Sequence, residues 1–426
     1  MKLIFAFVAA FLCSTAQARI YVPIDQPADK KLPIAITELV NLGGGGKFGE
    51  EITSVLSNDL QISSYFQLIP PGAFLEPRGS KALTVETINF DQWTAIEAQA
   101  VVKGSISKEG DNVVVELKLF DPFLKQMLMG KQYTGAVKNI RYMAHRFSDE
   151  VMLSLTGTKG PFNSKVTYTA ATGKGNKAIL VMDYDGANNF AITKTKGLSL
   201  GSKFSPDGSK VVFTAYTTGR PEIYVATLGG SLRQVTHNGA TNIAPAFSLD
   251  GNSIIFSSSM RGDPDIFLMG LGGKIISQLT NVPGVDISPA YSPDGGRIVF
   301  SSERAGSLHV FTMDANGGNA VRLTFVGRFN DTPVWSPDGQ KIAFCSMDSG
   351  AFDIFTMNAD GSFIQRLTAG EGSNTHPSWS ADSRYITFAS TRSAGEAIYV
   401  MRFDGANPTR VSKGGGQLPW WGPRME

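Results

Sequence analysis

Cysteine is what this sequence has least of, with two residues in a chain of 426. Cys13 falls in a segment read below as a leader. Cys345 is then alone, which excludes an intramolecular disulfide as a source of stability. It ends the strand-like run Lys341-Ile342-Ala343-Phe344-Cys345, where a thiol is expected to act as a small buried apolar group. Histidine is almost as scarce. His145, His237, His309 and His376 are scattered without metal-ligand spacing, so no metal and no other cofactor is expected. An excess of one charge is also missing. With 39 basic against 37 acidic residues, nothing suggests nucleic acid or an anionic membrane surface as a partner. Long hydrophobic runs are absent beyond the first residues, and none approaches the roughly 20 needed to span a bilayer.

The single apolar run, Leu3 to Leu12, follows Met1-Lys2 and leads to Ala16-Gln17-Ala18. A basic start, a short apolar stretch and a small-x-small site read as a secretory leader over residues 1–18, with a mature chain from Arg19. The competing reading is a lipoprotein signal at Cys13. That processing needs a small residue before the cysteine, and the residue there is Leu12.

What the chain has in plenty is glycine, 46 residues of it, spaced at intervals. Ser205-Pro206-Asp207-Gly208 recurs as Ser248-Leu249-Asp250-Gly251, Ser292-Pro293-Asp294-Gly295 and Ser336-Pro337-Asp338-Gly339, then in worn form as Ser380-Ala381-Asp382-Ser383. The spacings are 43, 44, 44 and 44 residues. A strand-rich period of this length signals propeller blades. Each repeat opens on a short segment ending in an aromatic: Phe204, Phe247, Tyr291, Trp335 or Trp379. These rings are expected to pack between blades. The turn follows, with proline setting φ, aspartate bonding back to the backbone and glycine allowing positive φ. Two apolar runs come next. An Asp-Gly or Gly-Gly turn then leads to a last short piece such as Arg366-Leu367-Thr368.

The second and last pieces each occur six times, whereas the first occurs five times before them and once more at the end, as Pro419-Trp420-Trp421-Gly422. The domain therefore starts inside a blade near Lys165, and the last residues supply that blade's missing strand. The expected fold is mainly β: a six-bladed β-propeller over 163–426, closed by its own C-terminal strand and preceded by a small α/β domain over 19–162. Residues just before each first strand should ring one mouth of the channel: Leu200-Gly201, Ile243-Ala244, Ile287-Ser288, Asp331-Thr332 and Thr375-His376, with Asp286 nearby. Loops and strand ends on a rigid scaffold are where binding residues tend to sit.

Before the repeats, strands are expected at Leu32 to Val40, Phe66 to Ile69, Ala100 to Gly104 and Asn112 to Phe120. Helices are expected at Gly49 to Ser63, Trp93 to Ala100 and Lys138 to Leu155. Gly157 to Pro161 reads as a short, stiff link into the repeats. Three motifs suggest chemistry and are set aside. Gly197-Leu198-Ser199-Leu200-Gly201 matches a nucleophile elbow but lies between blades, with no helix after the serine. Gly44-x-Gly46-x-x-Gly49 resembles a dinucleotide loop but lacks the βαβ unit and its acidic residue, and reads as a flexible surface loop. Asp183-Tyr184-Asp185-Gly186 has the look of a calcium loop, yet the period makes it a hairpin turn. His145 reads as helix surface or part of the junction between the two domains, and His376 as facing the channel mouth.

Several segments together resemble one known family. Arg141-x-x-Ala144-His145-x-x-Ser148-Asp149 and Leu155-Thr156-Gly157-x-Lys159-Gly160-x-Phe162 run directly into the first blade strand. With Phe90-x-x-Trp93 and Val102-Lys103-Gly104, they are similar to the TolB family of the Gram-negative Tol-Pal envelope system. The four-glycine run at 43–46 departs from the pattern. The resemblance implies a monomeric, non-enzymatic periplasmic adaptor that serves outer-membrane integrity and envelope constriction in cell division. It also implies that the lipoprotein Pal binds at the channel mouth, associating the protein peripherally with the outer membrane. TolA is implied to bind the N-terminal segment, here Arg19, Ile20, Tyr21, Val22 and Pro23. By position, the Pal-facing residues are Leu198, Gly201, Ile243 and Ala244, with the contact chemistry shifted toward Asp331, Thr375 and His376; Asp286 and Thr332 complete the mouth. The rival expectations are a propeller hydrolase or lyase, for which Asp331, His376 and Asp286 are a thin set of groups, and a propeller that binds sugars or peptides.

Overall fold

The computed structural model describes residues 31–193, 197–347 and 350–425. The expected leader and the segment Arg19 to Pro23 lie outside the described residues. The chain divides into two compact units, Met1–Lys159 and Gly160–Glu426.

The first unit is built on a mixed sheet. Its elements in order are β1 (Leu32–Ile36), β2 (Val40–Gly43), α1 (Gly46–Ile62), β3 (Phe66–Leu68), α2 (Phe90–Thr94), β4 (Ala100–Glu109), β5 (Asn112–Asp121), β6 (Gln126–Ala136) and α3 (Ile140–Thr156). The strand order is β3-β1-β4-β5-β6, with β2 beside the far end of β4. The three strands β3, β1 and β4 run parallel, and β4 to β6 form an antiparallel meander. The chain leaves β1 through α1 to β3 on one side, then returns through α2 to β4 on the other.

Several local expectations needed correction. The strand expected at Leu32 to Val40 is broken at Thr37-Glu38-Leu39, where β1 gives way to β2. The helix expected at Trp93 to Ala100 is the single turn and a half of α2, and β6 had no counterpart in the sequence reading. The glycine motif is not a flexible surface loop: Gly46 opens α1 and Gly49 is buried within it. A Cβ on Gly45 would lie 2.9 Å from Ile106 Cγ2, so the run lets the chain pass close over β4. His145 does not lie on a helix surface. It is 3% exposed on α3, with Nδ1 2.9 Å from the buried carboxylate of Asp59 on α1.

The second unit is a six-bladed β-propeller, with six four-stranded antiparallel sheets among the described residues. The innermost strands are Ser199–Phe204, Asn242–Phe247, Asp286–Tyr291, Phe329–Trp335, Asn374–Trp379 and Gln417–Arg424. The last of these pairs antiparallel with β7 (Ser164–Gly173), which continues into β8 (Asn176–Asp183) and β9 (Phe190–Ala191). The chain ends thus meet within one blade.

Blades are joined by apolar clusters. Phe247 packs on Val212 and Val225 of the preceding blade, and Trp335 on Val299 and Val310. Trp379 packs on Val334 and Ile354 and donates Nε1–H to the Val334 carbonyl at 3.3 Å. In every blade a hydroxyl just past the outer strand accepts an amide of the third strand, from Thr193 with Ile179 at 2.9 Å round to Ser412 with Ile398 at 2.9 Å. Cys345 is buried as expected. Burial pushes its thiol up to about 12, so it remains protonated and inert.

Candidate functional site

Each of the six innermost strands carries the same irregularity. The pairing with the second strand slips by one residue, between Leu200 and Lys203, Ile243 and Ala246, Ile287 and Ala290, Asp331 and Val334, Thr375 and Ser378, and Gln417 and Trp420. At each slip one residue is left-handed: Gly201 (φ 63), Ala244 (52), Ser288 (55), Thr332 (52), His376 (54) and Leu418 (52). A bulge of this kind turns a strand and re-aims its side chains. Five of the six residues are not glycine, and Thr332 is β-branched, so the ring stores backbone strain at its centre.

All six left-handed residues line one cavity of about 230 Å³, closed in by Lys203, Thr214, Tyr216, Val334 and Trp420. The cup is apolar except for a few groups. Lys203 Nζ donates to the Pro289 carbonyl at 3.3 Å and lies 4.7 Å from the centre of the Trp420 ring. Burial pulls its pKa down to about 8, against the opposing pull of the Asp331 carboxylate. His376 has no hydrogen bond at Nδ1. Burial lowers its pKa; Asp331 opposes that shift and Lys203 reinforces it, so the imidazole is neutral at pH 7. The cup therefore offers a cation, a neutral imidazole and aromatic surface to whatever enters it.

The expected mouth residues separate on this geometry. Gly201, Ile243, Ala244, Thr332 and His376 line the cup. Asp331 lies directly behind it, with Oδ1 accepting the Thr332 amide at 2.6 Å. Thr375 precedes His376 on the same strand but is not among the lining residues. Leu198 bridges to Lys177 at the start of the first inner strand. Asp286 is fully buried, 2.9 Å from Arg304, and braces the scaffold. Ser199 of the elbow-like pentapeptide is 1% exposed within its strand and offers no nucleophile.

Three features escaped the sequence reading. One is Lys203, two residues inside the mouth positions. Another is the loop entering the fourth inner strand, where Phe325, Val326 and Phe329 are 70, 67 and 45% exposed. An apolar run of this kind, Phe325-Val326 followed by Phe329, was visible in the sequence as an interruption of an otherwise polar loop. The third is His309, which takes the place held by an acid in other blades. Its Nδ1 meets Thr324 Oγ1 at 3.2 Å, as Asp265 meets Thr280 at 3.0 Å and Asp353 meets Thr368 at 2.7 Å. At the other end of the channel, Phe204, Phe247, Tyr291, Trp335, Trp379 and Trp421 ring a second cavity of about 320 Å³.

The fold defines the class: a closed β-propeller preceded by a mixed α/β sheet unit. Family models match both units, the TolB amino-terminal domain over residues 20–128 and the TolB beta propeller domain over 153–352 and 328–424. The chain belongs to the TolB family, which is a family of non-enzymatic Tol-Pal components. It is similar to the Tol-Pal system protein TolB of Syntrophotalea carbinolica, 37% identical over 50% of this chain and 50% of that one. It is likewise similar to that of Desulfosudis oleivorans, 36% identical over 53% and 52%. The matches thus span about half the length of these curated relatives. The crystal structure of TolB from Acinetobacter baumannii superimposes with a TM-score of 0.81 at 27% identity, covering 93% of this chain and 97% of that one. No helix among the described residues is long and apolar enough to cross a membrane.

Proposed function

We propose that this protein is a periplasmic adaptor of the Tol-Pal system, binding the lipoprotein Pal at the channel mouth and TolA through the segment Arg19 to Pro23. The observation that carries the reading is the cup of six left-handed residues, with exposed Phe325 and Val326 on a loop that enters one of its strands. A concave apolar centre with a few polar groups, beside exposed aromatics, suits a protrusion from a protein partner. Gly201, Ile243, Ala244, Thr332 and His376 would form the contact. Asp331 would set the charge behind it, and Leu198, Thr375 and Asp286 would hold the frame. TolA engaging the N-terminal segment would bias Pal between this protein and peptidoglycan, which requires two states that each partner stabilises differently. Through Pal the protein would associate with the outer membrane as a monomer and support envelope integrity and constriction.

Calorimetric titration of residues 19–426 with the soluble domain of Pal from the same organism tests this. One-to-one binding is expected, weakened about tenfold or more by His376→Ala and by trimming Phe325 to alanine. Absence of binding, or indifference to both substitutions, would overturn the reading. Removing residues 19–31 is expected to change the Pal affinity, and an unchanged value would remove the coupling.

A further inference from the structure

The sheet of the first unit ends on a strand that has a neighbour on one side only. β6 closes the order β3-β1-β4-β5-β6, and among the described residues it makes main-chain bonds only to β5. It runs for 11 residues, roughly 35 Å at the usual rise. In an antiparallel strand every second residue turns its N–H and C=O away from the partner, so the outer side is a row of unmatched donors and acceptors. Gly130 is exposed, and with no side chain it is main chain that it exposes.

An open edge pairs readily with another chain, and proteins blunt it by shortness, proline, bulges or cover. The other edges of this molecule are blunted by shortness. The outer strands of the six blades are two to four residues long. On the opposite side of the first sheet β3 and β2 have three and four. β6 contains no proline, and its one irregularity, opposite Leu119 and Phe120, leaves Met129 to Ala136 in unbroken register. A long, regular edge in a chain whose other edges are short marks a place kept for pairing.

Helix α3 turns that edge into a groove. It packs on β5 and β6, and a Cβ on Gly135 would lie 2.9 Å from Met143 Cε. Tyr142, Arg146 and Glu150 follow one another at single-turn spacing on the helix. Glu150 lies 3.8 Å from Lys131 Nζ. Burial pushes the Tyr133 phenol up to about 12, with the Arg146 charge opposing the shift and Glu150 adding to it. Arg146 stacks 5.6 Å from the Tyr142 ring centre and remains exposed. A strand added here would bond its main chain to β6 and lay alternate side chains along this row. In strand addition the first gives affinity and the second specificity.

Charge selects the occupant. Lys131 and Arg146 are exposed along the groove and Lys138 at its end. The acids beside them are engaged. Glu150 is shared by Lys131 and Lys159 at 3.8 and 3.3 Å, and Glu116 holds Lys118 at 2.9 Å. The surplus is positive. It disfavours a second copy of the same edge, because like charges facing across a strand pair are destabilising, and it favours carboxylates. We propose that β6 and α3 receive an extended acidic segment of a partner protein, added to the six-stranded sheet as a further strand.

The test is hydrogen-exchange mass spectrometry of residues 19–426 with three end-blocked octapeptides. One alternates Glu and Val, and one alternates Lys and Val. The third keeps the four glutamates of the first but has Pro-Pro at its centre, which breaks a ladder while preserving charge. The Glu-Val peptide is expected to slow exchange across 126–136 saturably and to leave β4 unchanged. It should bind about fivefold or more tighter than the Lys-Val peptide, the scale of an exposed charge pair. Arg146→Glu, on the exposed side of the helix, should remove that preference with the thermal midpoint unchanged. No protection by the Glu-Val peptide, equal protection by the Lys-Val peptide, or protection that survives Pro-Pro would each overturn the proposal. So would protection of β6 that rises with protein concentration in the absence of peptide, since a second copy would then be the occupant.

Discussion

At the scale of single residues, the centre of the propeller is where local preference and final conformation disagree. Thr332 holds φ 52, a value that crowds a β-branched side chain, and its Oγ1 has only the Cys345 thiol at 3.3 Å in return. Thr332→Gly is therefore expected to raise stability by about 1 kcal/mol, read as a higher urea midpoint at unchanged slope. A lower midpoint would show that the bulge is relaxed. Lys203 carries the second conflict. Between about 8 and 10.5 the unfolded chain holds this proton while the folded chain has released it, so stability rises with pH across that window. Below 8 the cost of enclosing the cation is fully present. Lys203→Met should then stabilise the protein by roughly 2 kcal/mol at pH 7, discounted because the side chain is partly open to the channel. The gain should fade as pH approaches 10.5; a gain constant over pH would mean that packing alone was responsible. Neither feature was legible in the sequence. Of the six left-handed residues only Gly201 has the side chain that such a φ announces, and nothing near Lys203 marks it as enclosed.

At the scale of elements, the repeated turn was legible because every residue in it has a local task. In the first copy Ser205 Oγ donates to Asp207 Oδ1 at 2.5 Å and accepts the Lys210 amide at 2.9 Å, while Asp207 accepts the Ser209 amide at 3.0 Å. These bonds, Ser205 foremost, hold the Asp207 pKa down to about 2. Even the worn copy keeps the geometry: Ser383 takes φ 62 in place of glycine, and Ser380 Oγ still accepts the Tyr385 amide at 2.9 Å. Asp207→Ala should cost about 1 kcal/mol at pH 7. Because the folded pKa is depressed, that contribution is complete above the unfolded value near 4 and is lost as pH falls through 2. Urea midpoints of the two proteins should converge toward pH 2, and a gap that persists there would assign the loss to shape rather than charge. In the first unit the same reasoning misjudged α2. Its apolar residues Phe90 and Trp93 are spaced for a helix, but the core they join with Ala35, Val101 and Phe120 is reached in one turn, and Ala100 then enters β4. The buried ion pair between Lys103 and Glu76 was invisible for another reason: its partners are 27 residues apart, and no local pattern joins them.

At the scale of the whole molecule, the ring depends on its last strand. Pro419-Trp420-Trp421-Gly422 announced the closure because it repeats the proline-and-aromatic signature of the other inner strands where no repeat follows. Trp420 packs into the clusters of both flanking blades. Trp421 donates Nε1–H to Ser164 Oγ at 2.7 Å and its amide to Ser378 Oγ at 2.9 Å, so one residue ties β7 to the neighbouring blade. The Met425 amide adds a bond to the Asn163 carbonyl at 2.8 Å. Gly422 lies where a Cβ would be 2.6 Å from Phe204 Cδ2 and 3.1 Å from the Lys165 carbonyl, on one side a ring and on the other a backbone that pairing holds in place. Gly422→Ala should therefore cost about 1–3 kcal/mol, as overpacking does. Deleting residues 417–426 is a different perturbation, because it bares the edge of β7 and opens two apolar clusters at once. The truncated protein should lose all-or-none unfolding of the propeller, read as tryptophan-fluorescence and circular-dichroism transitions that no longer coincide. Coincident transitions at an unchanged midpoint would show that the other five blades hold the ring without the closing strand. In that event the cost of Gly422→Ala should vanish as well, since both changes draw on the same junction.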